Sequence, residues 1–299
     1  MKPETFRRPH KEYRDIMKSK AFGCIVLSAA LLLTPALVQA ESDITIEEIV
    51  EEVDLDAVSY GDAVWSFPVA LEDMRPDFVV LANKHYKLDP DFVCEPLRTI
   101  KSMKLNKDGT RKSGDMYLAT SGQKLNEICA DALAALSDAA RAEGHKLFMK
   151  SGYRSWQTQN TMYYNRLKRN NGKDDGWVSQ PGSSDHQTGL GCDVVPRAWK
   201  DRSMNGKMGK EPECIWMAEH CHEYGFIIRY PADKEEVTEI NYEPWHLRYV
   251  GVPAATYIME NGLCLEEFTY QLQEAIQAFL DAGGDPALVQ EYIQTPSEE

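Results

Sequence analysis

Apolar positions recur along this chain with two periods, and those periods place most of its elements. Leu125, Ile128, Cys129, Ala132, Leu133, Leu136 and Ala140 return every three or four residues and define one face of a helix. Gly144 ends that helix, and residues 146–151 follow it as a strand. Ser155 can cap a further helix that carries Trp156, Gln159, Tyr163 and Leu167 and stops near Gly172. Residues 170–183 are rich in Asn, Gly, Asp, Ser and Pro and read as loop, and 189–195 as strand. A second loop, 197–211, is basic and Gly-rich. Pro212 then opens a helix that runs through Trp216, Met217, Cys221 and Tyr224 to Gly225, because proline is favoured in a first turn. Residues 226–230 and 246–250 read as strands, and Phe78-Val-Val-Leu as another. Asp108-Gly109, in a lysine-rich island between 101 and 120, marks a hairpin. Helices near 253–260 and 265–281 follow, and Gly283, Gly284 and Pro286 break the chain before a last short helix and a polar tail. No internal repeat is evident.

The N-terminal pattern differs from all of this. Residues 21–38 carry no charge, Lys18 and Lys20 precede them, and Val38-Gln-Ala40 resembles a small-residue cleavage site. We read residues 1–40 as a secretory signal peptide, the alternative being a retained membrane anchor. Residues 41–75, with Glu47, Glu48, Glu51, Glu52, Asp54 and Asp56 among Ile and Val, read as an acidic spacer. The main domain is expected over 76–270, followed by a helical extension and tail over 271–299.

Charge narrows the function. Residues 1–40 hold seven Lys/Arg and three Asp/Glu, a net of +4, so on a total of −14 the rest of the chain carries −18. So acidic a surface excludes binding to nucleic acid through bulk charge, and a membrane enters only if residues 21–38 are retained. Beyond residue 40 the chain has six cysteines, Cys94, Cys129, Cys192, Cys214, Cys221 and Cys264. An exported protein could pair them. Small buried hydrophobes is the reading we favour for most.

The candidate chemistry lies in two clusters. Ser184-Asp-His-Gln-Thr-Gly-Leu-Gly-Cys-Asp holds His186 and Asp193, and Glu243-Pro-Trp-His holds Glu243 and His246. Two imidazoles and one carboxylate suit zinc, and three protein ligands leave a fourth position open. His186 follows Pro181-Gly182 in a loop that looks too polar to bury it, whereas Asp193 lies in an apolar strand, where a carboxylate needs a partner or a metal. Residues three apart on a plain strand face opposite sides, but Pro244 cannot join a ladder, so a bend there lets Glu243 and His246 converge. Glu243 is then placed to deprotonate a water, and Arg154 to face an oxyanion. A competing metal group, Cys214, His220, Cys221 and His222, fails on geometry: residues two apart on one helix point about 200° apart.

Four motifs in order carry a resemblance: Ser151-Gly-Tyr-Arg-Ser with Gln159, Ser184-x-His-Gln-x-Gly-Leu-x-x-Asp193, Tyr224-Gly-Phe-Ile-Ile-Arg-Tyr-Pro231, and Tyr242-Glu-Pro-Trp-His-Leu-Arg-Tyr-Val-Gly251. Over roughly residues 77–270 the chain resembles the VanY-type D-alanyl-D-alanine carboxypeptidases, within the wider group of zinc enzymes named for lysostaphin, D-Ala-D-Ala peptidases and sonic hedgehog. The resemblance implies an α+β fold whose central, mainly antiparallel sheet carries the site and is flanked by helices. It implies one zinc on His186, Asp193 and His246, with Glu243 as base and Arg154 stabilising the transition state. It also implies that Gln159, Ser184 and Tyr230 bind the peptide and its terminal carboxylate. Asp185 stands where Glu is common, Cys192 adjoins a ligand, and the long loops at 101–120 and 197–211 leave substrate detail open. The expected activity is removal of the terminal D-alanine from peptidoglycan stem peptides by an extracytoplasmic bacterial enzyme. Its rivals are an L,D-carboxypeptidase acting on tetrapeptide stems and a non-catalytic zinc module bound to the cell wall, and the presence of Glu243 beside all three ligands argues against the last.

Overall fold

The computed structural model describes residues 59–60 and 63–297. The expected signal segment and most of the acidic stretch lie outside the described residues. In chain order the strands are β1 (Ser59–Tyr60), β2 (Ala63–Val64), β3 (Leu97–Thr99), β4 (Lys104–Leu105), β5 (Arg111–Ser113), β6 (Tyr117–Leu118), β7 (Lys124–Asn126), β8 (Leu147–Ser151), β9 (Gly191–Pro196), β10 (Phe226–Ile228) and β11 (His246–Tyr249). The α-helices are α1 (Glu127–Ala142), α2 (Trp156–Arg169), α3 (Asp185–Thr188), α4 (Pro212–His220), α5 (Glu235–Thr238), α6 (Val252–Glu260), α7 (Leu265–Asp281) and α8 (Pro286–Val289).

One five-stranded sheet organises the domain, in the order β10-β11-β9-β8-β6. All its pairings are antiparallel except β6 with β8. This is the mixed α and β architecture expected, with a mainly antiparallel centre. Helix α1 forms as its apolar period dictates: Cys129, Leu133, Leu136 and Ala140 are buried, and Asn126 caps it by accepting from the Ile128 and Cys129 amides. Gly144 follows with φ of +91°, a conformation that favours glycine. The Asp108-Gly109 hairpin joins β4 to β5.

Two apolar cores flank this frame. One packs α1 and α4 on the sheet through Leu133, Leu136, Met217, Val194 and Leu247. The other is built from both ends of the described chain. Trp65, Phe67, Leu71 and Met74 pack with Phe268, Leu272, Ile276 and Phe279 of α7 and with Tyr292. Edge-on ring contacts join Phe67 to Phe268 at 5.4 Å and Trp65 to Phe279 at 5.9 Å, and the Tyr292 hydroxyl donates to the Leu71 and Met74 carbonyls at 3.0 and 2.9 Å.

Several expectations therefore change. Residues 63–75 are not spacer: Trp65, Phe67, Val69, Leu71 and Met74 are buried and fill a core. Residues from 271 are likewise not an appendage, since α7 supplies one wall of that core. Phe78, Val79 and Leu81 are buried, but residues 78–81 form no strand. The Phe78 and Val79 amides donate to the Arg75 carbonyl, and side chains satisfy other groups, the Phe78 and Val80 carbonyls by Arg248 at 2.9 and 2.7 Å and the Leu81 amide by Gln294 at 2.7 Å. The six cysteines described are all free and buried. Burial pushes the Cys94 thiol up to about 11 and those of Cys214 and Cys221 to about 12.

Candidate active site

The site is assembled where β8, β9 and β11 lie side by side. Asp193 on β9 pairs with Ser151 on one flank and His246 on the other. After β8 the chain turns through Gly152, whose backbone is so close to Lys124 O and Met149 that an added Cβ would meet them at 2.5 and 2.7 Å. That close passage lets the Gly152 carbonyl accept from His186 Nδ1 at 2.7 Å. Two residues on, the Arg154 amide donates to the His186 carbonyl at 3.0 Å, and Ser155 caps α2. His186 thus rides not in an exposed loop but on the single-turn helix α3, clasped by 152–154 and fully buried. The polar residues around it are buried with it because they bond to backbone: Gln187 Nε2 donates to the Asp89 carbonyl at 2.6 Å, and the Thr188 hydroxyl to that of Asp185 at 2.6 Å.

The expected bend at Pro244 is present. The His246 amide donates to the Glu243 carbonyl at 3.1 Å, closing a tight turn that brings both side chains to one side. His246 Nδ1 lies 3.1 Å from Asp193 Oδ1 and 3.6 Å from Glu243 Oε2. His186 Nε2 lies 3.4 Å from the same Asp193 oxygen, and the two imidazoles meet edge to face at 4.8 Å.

Donor atoms of His186, Asp193 and His246 all lie within 4.8 Å of one another, the one such His/Cys/Asp/Glu group among the described residues. Their protonation suits a metal. Burial works to raise Asp193, but His186 and His246 overrule it and hold the carboxyl far below its usual range. Burial, aided by the Arg154 charge, lowers His186 to about 4, so the ring is neutral at pH 7. With its Nδ1 proton given to Gly152, His186 Nε2 is free to ligate. His246 Nε2 is buried without a hydrogen-bond partner. Two imidazoles and one ionised carboxylate fit a divalent metal of the borderline class.

Glu243 and Arg154 stand beside this group without belonging to it. Burial pushes the Glu243 carboxyl well above its usual range, and the Asp193 charge adds to the effect. Burial lowers Arg154, while Asp193 and Glu243 act the other way. The guanidinium makes one hydrogen bond, to Met162 Sδ at 3.4 Å, and its Nε is buried with none.

Around them opens a cleft of about 350 Å³, and Arg154, Gln159, Ser184, Tyr230, Glu243 and the three donors all line it. Gln159 donates to the Ser179 carbonyl at 2.7 Å and leaves its buried Oε1 unpartnered. The Tyr230 ring lies 5.1 Å from that of His246. Sequence reasoning missed the remaining walls, chiefly Met162, Trp177, Met204 and Trp245. The indoles of Trp177 and Trp245 are stacked at 6.4 Å, and the lone aromatic in the polar loop 170–183 was the available signal. The Cys214/His220/Cys221/His222 group gathers no site: His220 Nδ1 donates to Glu223 at 2.8 Å, its ring stacks on Trp216 at 4.8 Å, and the two cysteines are buried.

Known proteins resemble this chain in sequence and in fold. The VanY family, described as D-alanyl-D-alanine carboxypeptidase, matches residues 122–252. The bifunctional D-Ala-D-Ala dipeptidase and carboxypeptidase VanXYC of Enterococcus gallinarum is 36% identical over 131 residues, covering 43% of this chain and 68% of that protein. This chain belongs to the VanY family. The Bacillus subtilis protein YodJ is 44% identical over 145 residues, covering 48% of this chain, and the chain spans about half of that relative's length, 53%. Among solved structures, the LdcB LD-carboxypeptidase is 34% identical with a TM-score of 0.57, covering 65% of this chain and 87% of its own.

Proposed function

We propose that this chain is a zinc-dependent carboxypeptidase that removes the terminal D-alanine from peptidoglycan stem peptides or their precursors. The observation that carries the reading is the convergence, on one cleft, of three metal donors, a separate buried acid and an unpaired guanidinium. His186 Nε2, an Asp193 oxygen and His246 Nδ1 would hold one zinc, which would supply polarisation of a bound carbonyl and a more acidic water. Glu243 takes the proton from the attacking water and returns it to the leaving amine; the raised affinity of its carboxyl for a proton suits that shuttle. Arg154 faces the charge that develops on the carbonyl oxygen, where a desolvated guanidinium acts at low dielectric. Gln159, Ser184 and Tyr230 line the floor on which the terminal residue and its carboxylate rest.

A second reading, L,D-carboxypeptidase, is favoured by the likeness to LdcB. Defined penta- and tetrapeptide stems, incubated with and without a chelator and read by mass, separate the two. The D,D reading expects the pentapeptide to lose one alanine and the chelator to stop it. Trimming of the tetrapeptide alone supports the second reading, and intact peptides throughout overturn both. Among the described residues no helix is long and apolar enough to cross a membrane. We place the enzyme outside the bacterial cytoplasm on the strength of residues 18–40, and N-terminal sequencing of the native protein should begin near Glu41.

A further inference from the structure

Asp185, Arg229, Arg248 and Glu266 form a closed set of two acids and two arginines, all withdrawn from solvent. Arg229 Nε donates to Asp185 Oδ2 at 2.7 Å, and its terminal nitrogens grip the two Glu266 oxygens at 2.8 and 2.7 Å. Arg248 donates to Asp185 Oδ1. The Tyr230 hydroxyl donates to Asp185 Oδ2 at 3.3 Å, sharing that oxygen with Arg229, whose guanidinium lies 4.7 Å over the tyrosine ring. Tyr230 lines the cleft against His246. A continuous bonded path therefore runs from a cleft side chain to Glu266 on α7, beyond residue 252 where the family match ends.

We infer that Glu266 is a positioning residue for Tyr230, acting through Arg229 and Asp185. Arg229 and Tyr230 compete for one acceptor, Asp185 Oδ2. Arg229 is a rigid fork of donors with two carboxylates to satisfy. While Glu266 holds its terminal nitrogens, only Nε reaches Asp185, and Oδ2 keeps room for the Tyr230 hydroxyl. Without the Glu266 charge the fork is buried beside a single acid that Arg248 already shares. It then turns fully onto Asp185, displaces the hydroxyl and frees the ring. Asn83 Nδ2, 3.3 Å from Glu266 Oε1, holds the glutamate from the N-terminal segment. The functional consequence rests on the carboxypeptidase reading, in which Tyr230 meets the substrate.

The test uses the full chain labelled with 3-fluorotyrosine, the Tyr230 ¹⁹F resonance being assigned by its loss in Tyr230→Phe. Glu266→Gln should move that resonance and leave Tyr117, at the far edge of the sheet, in place. On the stem peptide kcat/KM should fall roughly 10- to 100-fold, as for partners that orient a site residue. The double variant should be no worse than Tyr230→Phe alone, because both remove one interaction. Should Glu266→Gln not fold, Glu266→Asp, whose shorter arm cannot hold both terminal nitrogens of Arg229 in place, should move the Tyr230 resonance in the same direction by a smaller amount. An unmoved Tyr230 resonance, a shift of every tyrosine, or losses that multiply in the double variant would overturn the inference. An inactive wild type whose Tyr230 resonance still moves selectively would instead sink the carboxypeptidase reading and leave the positioning intact.

Discussion

Asp185 and Glu243 are both buried carboxylates beside a cleft histidine, and the protein treats them oppositely. Burial raises both. Around Asp185 the charges of Arg229 and Arg248 overrule it and hold the carboxyl down at about 2. Around Glu243 the charge of Asp193 reinforces it, Arg154 offsets it only in part, and the carboxyl ends well above its usual range. The difference is one of pairing. In the Asp185 region every charge meets a partner: Arg229 bonds Asp185 and Glu266, and Arg248 bonds Asp185 and two backbone carbonyls. In the cleft, Arg154 Nε, Gln159 Oε1 and His246 Nε2 are buried and have none. Unmatched buried polar atoms destabilise a fold unless something else supplies the match. A matched set reads as scaffold, and an unmatched one as a place that a ligand completes.

The cleft side should respond in turnover. Glu243→Ala removes an acid whose carboxylate has His246 at 3.6 Å as its ion-pair neighbour among the described residues, so fold and zinc content should survive while turnover of the stem peptide falls about 10²- to 10⁴-fold. Metal analysis and single-turnover rate on one sample decide it. A variant within a few-fold of wild type excludes Glu243 as the base, and an inactive variant without zinc makes it a ligand. His246→Ala, run alongside, should lose the metal.

The scaffold side should respond in stability instead. Asp185 has a depressed value, so its contribution is complete above the ordinary carboxylate range and disappears as pH falls from about 4 through about 2. A shift of that size corresponds to about 2–3 kcal/mol. Asp185→Asn should lower the unfolding free energy at pH 7 by about that amount and flatten the acid limb of the stability curve below pH 4. Urea titrations at pH 7, 4 and 2.5 read both, and an unchanged midpoint at pH 7 would mean that the arginines do not need this acid.

The two regions were also unequally legible in the sequence. Asp193 in an apolar strand, the two histidines and the Pro244 bend pointed to the donor set through local rules alone, and the helix and strand periods around them reappear in the structure. Gln159, Ser184 and Tyr230 carry no local signal, and only the resemblance to the family singled them out for the wall that they line. The buried quartet was not legible. Arg229 directly follows the apolar strand β10 and Arg248 stands within β11, a sign of buried charge, but their partners are 37 residues or more away in sequence, at Asp185 and Glu266, and pairing over such distances follows from the fold rather than from spacing. Residues 63–75 were misjudged because a charge run just before them masked an apolar pattern whose partners lie far along the chain, chiefly in α7.

The Arg154 side chain is half-buried with its Nε fully withdrawn, is held by one sulfur contact and has no carboxylate in ion-pair range among the described residues, so its desolvation opposes folding. Arg154→Met places an apolar side chain of similar length beside Met162. Replacing buried charge with a well-packed apolar group is often neutral or stabilising, so the unfolding free energy should stay within about 1 kcal/mol of wild type or rise, while turnover falls. Arg229→Met, at a fully buried site bonded to two acids, should be clearly destabilised because it strands Asp185 and Glu266. Urea midpoints of the two variants, measured side by side, set the contrast. If Arg154→Met unfolds as early as Arg229→Met, the cleft guanidinium is a structural partner and the division between matched scaffold and unmatched site does not hold.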